Sequence, residues 1–134
     1  MQLKLKRSKA TALELREATE EESKQDSFDL EHRTIFKEGI MNEFVIEFRL
    51  RLTMEKSYHL SAQYASTFET DTDFNDEFKQ SSFAKINAPA IAFPFIRSYI
   101  AHITLMAGFD SVILPTVNFT LESNGVTTRP ADQP

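Results

Sequence analysis

The chain of 134 residues contains no cysteine, no tryptophan and only three glycines. Without cysteine it forms no disulfide, no thiolate nucleophile, no iron–sulfur cluster and no Cys-type zinc site. With so few glycines it builds neither a Gly-rich phosphate loop nor a Gly-x-Ser-x-Gly nucleophile turn. Lys+Arg number 15 against 20 Asp+Glu, a net charge of -5, which argues against nucleic acid as the main partner. No apolar run reaches the ~18 residues a membrane helix needs. The longest, residues 88–99, is interrupted by Pro89, Pro94 and Arg97. Residues 1–16 alternate charged and apolar side chains and lack the apolar centre of a secretion signal. The expectation is one cytoplasmic domain over residues 1–122 with a loose C-terminal tail over 123–134 and no membrane insertion.

What the chain does have is alternation. Phe44, Ile46, Phe48, Leu50, Leu52 and Met54 are separated by Glu47, Arg49, Arg51 and Thr53, and the pattern resumes in Tyr58, Leu60, Ala62, Tyr64 and Phe68. A helix cannot gather those positions on one face, so they predict an antiparallel hairpin with one wet side, turning at residues 55–57. Leu3, Leu5, Leu13 and Leu15 predict another half-wet strand, long enough to expect a bulge near residues 7–11. Residues 17–26 are polar and aperiodic and read as an exposed crossing loop. Residues 70–85 are acidic and punctuated by Phe74, Phe78 and Phe83, which reads as a loop or short helical turn tethered by aromatics. In residues 93–107, Ile96, Tyr99, Ile100, Ile103, Met106 and Ala107 form an apolar helical stripe, with Pro94 suited to the first turn and Gly108 to the C-cap. The opposite side carries few charges, which predicts a helix covered on two faces, the second by another subunit.

Candidate chemistry is sparse. His32, His59 and His102 share no metal-ligand spacing, and each is read as structural. Asp71, Asp73 and Asn75 resemble the start of a calcium loop, but Asp76 stands where glycine is required and Ser82 where the closing carboxylate is required. Asn118-Phe119-Thr120 matches the glycosylation pattern by chance. No polar cluster marks an enzyme and no cofactor is implied. What remains is Phe 12, with several phenylalanines outside the regular patterns. Apolar residues free to line a groove mark a binding surface on a soluble protein.

Phe93-Pro94-Phe95-Ile96-Arg97, then Gly108-Phe109, then Leu114-Pro115-Thr116-Val117-Asn118-Phe119 resemble the SecB chaperone family, with the hairpin over residues 43–69 upstream. The resemblance implies an α+β fold, a four-stranded antiparallel sheet with one long helix packed on it, here without the family's C-terminal second helix. It implies an ATP-independent holdase that keeps polypeptides unfolded, assembled as a homotetramer, a dimer of dimers. Clients would lie in an apolar groove of Phe28, Leu30, Ile35 and Phe36 on one side and Phe109, Val112, Ile113, Leu114, Val117 and Phe119 on the other. Leu3, Leu5, Arg97, Ile100 and Thr104 would form the oligomer interface. The partners implied are unfolded polypeptides, with the export motor SecA or an antitoxin beyond them. Two departures stand out: residues 120–134 hold no helical stripe, and Ser61 or Ala62 stands where the family docks the motor through an acidic residue. The rival reading is an adaptor for one folded partner.

Overall fold

In the computed structural model, residues 1–24 and 27–121 are described in full and residues 126–130 as backbone. The alternating segments form strands β3 (Glu43–Met54) and β4 (Tyr58–Thr70), paired antiparallel with Phe48 opposite Tyr64 and Phe44 opposite Phe68. Their even-numbered residues, including Ile46, Phe48, Leu50, Leu60 and Phe68, are buried, except for half-buried Tyr58 at the start of β4. The turn between them holds Glu55 and Lys56 at φ 52 and 55, and the Ser57 N–H donates to the Met54 carbonyl at 3.1 Å.

Strand β1 (Leu3–Glu17) runs the length of β4, with register shifts between Leu5 and Arg7 and between Ala10 and Ala12. Each bulge flips the side-chain alternation, and two of them restore it. Leu3, Leu5, Leu13 and Leu15 therefore stand opposite Thr70, Phe68, Ala62 and Leu60, all on one face. Between the bulges that face carries small residues, and the Ser8 and Ser66 hydroxyls meet at 2.8 Å.

Residues 27–36, which carry no clean alternation signal, form strand β2 (Ser27–Phe36) along β3. A final strand, β5 (Val126–Pro130), pairs with the first half of β2. The sheet order is β1-β4-β3-β2-β5, so the four expected strands are present and a fifth extends them. The loose tail expected over 123–134 is corrected at residues 126–130, where pairing with β2 supplies the order that side-chain pattern could not announce. The rest of that tail lies outside the described residues.

After β4, helix α1 (Asp76–Lys79) is capped by Asn75, whose Oδ1 accepts from the Phe78 N–H at 3.0 Å. One π-helical turn (Phe83–Asn87) leads into helix α2 (Ala88–Met106). The helix thus starts a turn and a half before the expected position, with Pro89 near its N-terminus and Pro94 inside it. Pro94 and Ala90, whose carbonyl loses its partner to the proline, are both exposed, so water can serve that carbonyl. At the other end the Phe109 and Gly108 N–H groups return to the Thr104 and Leu105 carbonyls at 3.0 and 3.1 Å. With Gly108 at φ 98, this is a Schellman cap.

Both hairpin-turn residues carry side chains in a conformation that costs a non-glycine residue about 1–2 kcal/mol. Glycine costs about 0.5–1 kcal/mol of extra chain entropy. Glu55→Gly is therefore expected to raise the urea midpoint at unchanged slope, a stability gain of up to about 1.5 kcal/mol; a lowered midpoint would contradict strain at this turn.

Candidate functional site

Helix α2 packs on β1, β3 and β4, which leaves the dry face of β2 for another element to cover. Residues 109–121 do so without regular secondary structure, running back along the helix as a strap. The Thr104 Oγ1 donates to the Ile100 carbonyl at 2.7 Å and accepts the Val112 N–H at 2.9 Å. Ser111 Oγ donates to the Ala101 carbonyl at 2.9 Å, and Arg97 Nε donates to the Leu114 carbonyl at 3.0 Å. Phe109 packs edge-on against Tyr58 at 4.9 Å. At the far end Phe119 lies against Phe93, Phe48 and His32. Burial against those rings lowers the His32 pKa and keeps its imidazole neutral.

The expected groove residues divide three ways. Phe28, Leu30, Leu114 and Phe119 are buried core, the last two as the inward-facing side chains of the strap itself. Ile35 points to the opposite side of the sheet from Phe28, Leu30 and Phe36, because side chains alternate along β2. It neighbours Val45, Ile40 and Thr67 there. Phe36 at the end of β2 and Phe109, Val112 and Val117 on the strap are half-buried, and Ile113 stands 61% exposed on the strap. Phe36 belongs to an aromatic cluster with Phe44 and Phe74 at 5.6 and 5.4 Å, extended by Phe68 and Phe78. Phe83 closes this row at 6.5 Å from Phe78 and is itself exposed. That cluster is where most of the unplaced phenylalanines reside.

The expected interface is also redrawn. Ile100 and Thr104 are fully buried against this chain's own sheet and strap, and Arg97 is engaged with Leu114. Met106, placed on the buried stripe by sequence, is 84% exposed at the helix end. The outward face of α2 is instead Ile91, Phe95, Ser98, His102 and Leu105, all exposed. Their steps of four and three residues form a heptad seam suited to another helix. Leu3 and Leu5 are half-buried on β1, the edge strand opposite β5.

Residues 9–121 match the family model described as Preprotein translocase subunit SecB. The chain belongs to the SecB family. A protein-export protein SecB of Anaplasma phagocytophilum is 32% identical over 81 residues, 58% of this chain and 51% of that protein. An uncharacterized protein of Methanocaldococcus jannaschii is 34% identical over 82 residues, 58% of this chain and 52% of its own length. The chain thus matches about half the length of these curated relatives. Among solved structures, the Mycobacterium tuberculosis SecB-like chaperone Rv1957, in complex with a ChAD peptide from the Rv1956 HigA1 antitoxin, superposes with TM-score 0.64 at 13% identity. It covers 86% of this chain and 90% of that one. A Streptococcus agalactiae protein of unknown function gives TM-score 0.54 at 11% identity, over 87% and 98%.

The outer face of this SecB sheet is charged in both signs. Arg33 and Arg49 both reach Glu47, at 2.9 and 3.2 Å, and Lys6 lies 2.6 Å from Glu43. A shallow cavity of about 530 Å³ there is lined by Glu14, Asp29, Glu31, Arg49, Arg51, Ser61 and Gln63, and it offers no single-sign patch. Among the described residues no group of three or more His, Cys, Asp or Glu could hold a metal, and no helix is long and apolar enough to cross a membrane.

The crossing between β1 and β2 is pinned to this face by a polar knot that the sequence reading missed. Thr19 and Glu22 cap each other reciprocally, at 2.8 and 3.2 Å, a capping box visible as Thr-x-x-Glu. Arg16 grips both Glu22 oxygens at 2.8 and 3.0 Å. His59, only 8% exposed, places Nδ1 3.3 Å from Glu22 Oε2 without hydrogen-bond geometry. The Arg16 hydrogen bonds, with help from the Thr19 N–H, hold the Glu22 carboxyl at about 2 instead of 4.5. A depressed carboxylate stabilises the fold above its unfolded pKa and loses that contribution as it protonates. Wild type is therefore expected to exceed Glu22→Gln in urea stability at neutral pH, with the difference vanishing between pH 4.5 and about 2. A difference that persists unchanged at pH 2 would contradict the ion pair's role.

Proposed function

We propose that this SecB-family chain is an ATP-independent holdase that binds non-native polypeptide along the strap at residues 109–121. The observation that carries the reading is the strap itself. It is apolar and without regular structure, and it presents Ile113 to solvent beside half-buried Val112 and Val117. Unfolded chains have in common only backbone and exposed apolar side chains. A surface that demands no particular hydrogen-bonding side chain can therefore accept many of them. The export protein of Anaplasma phagocytophilum and the antitoxin peptide on the mycobacterial chaperone support a client-binding role for this fold.

The groove proposed here is narrower than the sequence implied. It keeps Phe36, Phe109, Val112, Ile113 and Val117, with Leu121 exposed at the end of the strap and Phe83 exposed at the end of the aromatic row that holds Phe36. The heptad seam of α2 we assign to assembly of a cytoplasmic homotetramer, since its outer side offers Ile91, Phe95 and Leu105 to a second helix, and the His102 ring between them is already bonded to the Ser98 carbonyl of its own helix. Edge strand β1 provides the second contact that a dimer of dimers requires. Downstream, the client is handed to an export motor such as SecA or is itself an antitoxin.

The test is light scattering from a denatured, aggregation-prone protein diluted into buffer without ATP. Near-stoichiometric wild-type chain is expected to suppress the signal, and Ile113→Ser to suppress it several-fold less at unchanged circular dichroism and mass. Equal protection by Ile113→Ser would move the client site off the strap. No protection by folded wild type would favour an adaptor for a single partner.

A further inference from the structure

On the outer face of the sheet, β2 and β3 set one cross-strand pair after another. Asp29 stands opposite Arg51, Glu31 opposite Arg49 and Arg33 opposite Glu47, and then Ile35 opposite Val45. The first three pairs join opposite charges, which suits a face turned to water. The fourth is aliphatic. Pairing across the sheet carries its row on through Thr67 of β4 to Arg7 of β1. The turn after β2 adds Lys37 and Ile40, the latter 38% exposed. Arg7, Ile35, Lys37, Ile40, Val45 and Thr67 line a dimple of about 30 Å³, room for the end of one aliphatic side chain.

The carboxylates at this corner are already held. Lys6 lies 2.6 Å from Glu43 and 3.4 Å from Glu69. Arg7 and Lys37 reach Glu43 only as more distant charges. Among the described residues neither forms a salt bridge or a side-chain hydrogen bond, and both are exposed. Two uncommitted cations thus bracket an aliphatic dimple on a chain whose net charge is -5.

We propose that this corner docks an acidic, aliphatic segment of a partner protein, its aliphatic side chain in the dimple and its carboxylates on Arg7 and Lys37. Arg7 on β1 and Lys37 just past β2 are three strand spacings apart, about 14 Å. An extended segment rises about 3.3 Å per residue, so acid-x-aliphatic-x-acid spans about 13 Å with all three side chains on one face. That match sets the pattern the corner selects. The Arg7 guanidinium can hold its carboxylate through two parallel hydrogen bonds. Thr67 lies towards the far end of β4 from Ser61, where the family resemblance puts the motor contact, and the corner is cationic where that contact is acidic. The docking is also separate from the strap and does not rest on the holdase reading.

The test is a methyl NMR titration of the full chain labelled at isoleucine, because Ile35 and Ile40 report the dimple and Ile113 reports the strap. The probe is the peptide Gly-Ser-Glu-Ser-Leu-Ser-Glu-Ser-Gly, compared at low salt with the same peptide carrying lysine for glutamate. The glutamate peptide is expected to shift Ile35 and Ile40, leave Ile113 in place, and bind about tenfold more tightly than the lysine peptide. Arg7→Glu/Lys37→Glu, at two exposed positions, should reverse that preference at unchanged circular dichroism. Ile113→Ser should leave it unaltered. Equal affinity for the two peptides, shifts at Ile113 alone, or no shift at any isoleucine would each overturn the proposal and leave the holdase test untouched. Self-association of wild type that Arg7→Glu/Lys37→Glu abolishes, without peptide binding, would assign the corner to a second copy of the chain and overturn the partner assignment.

Discussion

The whole molecule answers to the dry face of its sheet. Strands lie about 4.8 Å apart, so the five strands present a face about 19 Å wide, whereas a helix with its side chains is about 10 Å across. One helix therefore covers about half of what β3 and β4 have made apolar. α2 takes the side over β1, β4 and β3. The remainder falls to the strap, through Leu114 and Phe119, and to the phenylalanine cluster around Phe44. That division of labour gives the chain its oddities: few glycines, many phenylalanines, and a long segment ordered without helix or strand.

A strap that covers core while lacking a regular hydrogen-bond ladder is fixed by a few side chains. Thr104 and Arg97 reach the backbone of Val112 and Leu114 from the helix, and Phe109 and Phe119 anchor the two ends. Between these ties the chain turns apolar side chains outward, Ile113 most of all. Burial and display are thus alternate faces of one segment. The helix divides in the same way, with Ile96, Ile100 and Thr104 inward and Ile91, Phe95 and Leu105 outward. Apolar surface left over from covering a wide sheet is what becomes available for assembly and for clients.

The sheet's centre was legible because its signal is periodic. Phe44 to Met54 keep every inward position apolar and Tyr58 to Phe68 all but Ser66, and the bulged Leu3 to Leu15 strand could be read through its break. β2 was hidden because His32 and Thr34 occupy inward positions where an aliphatic residue would have shown the period; His32 is instead satisfied by the rings of Phe48 and Phe119. β5 was hidden because backbone pairing with β2 leaves no apolar pattern. The motif residues at the helix and the strap pointed to the region proposed to bind clients. Residue by residue the assignment ran ahead of the physics, since an apolar side chain in a loop reads the same whether it is buried like Leu114 or displayed like Ile113. Ile100 and Thr104, expected at the oligomer interface, are buried within this chain. A helix apolar on both sides gives no hint of which side meets its own sheet, although the steps from Ile91 to Leu105 mark the outer seam once the inner one is known.

The central claim is that the strap, and not the charged outer face, receives non-native chain. Hydrogen–deuterium exchange of the full protein with and without a permanently unfolded client tests it most directly. The account predicts added protection in residues 109–121, with little change in the α2 amides. Added protection confined to the outer face, with residues 109–121 exchanging as in the free protein, would contradict it.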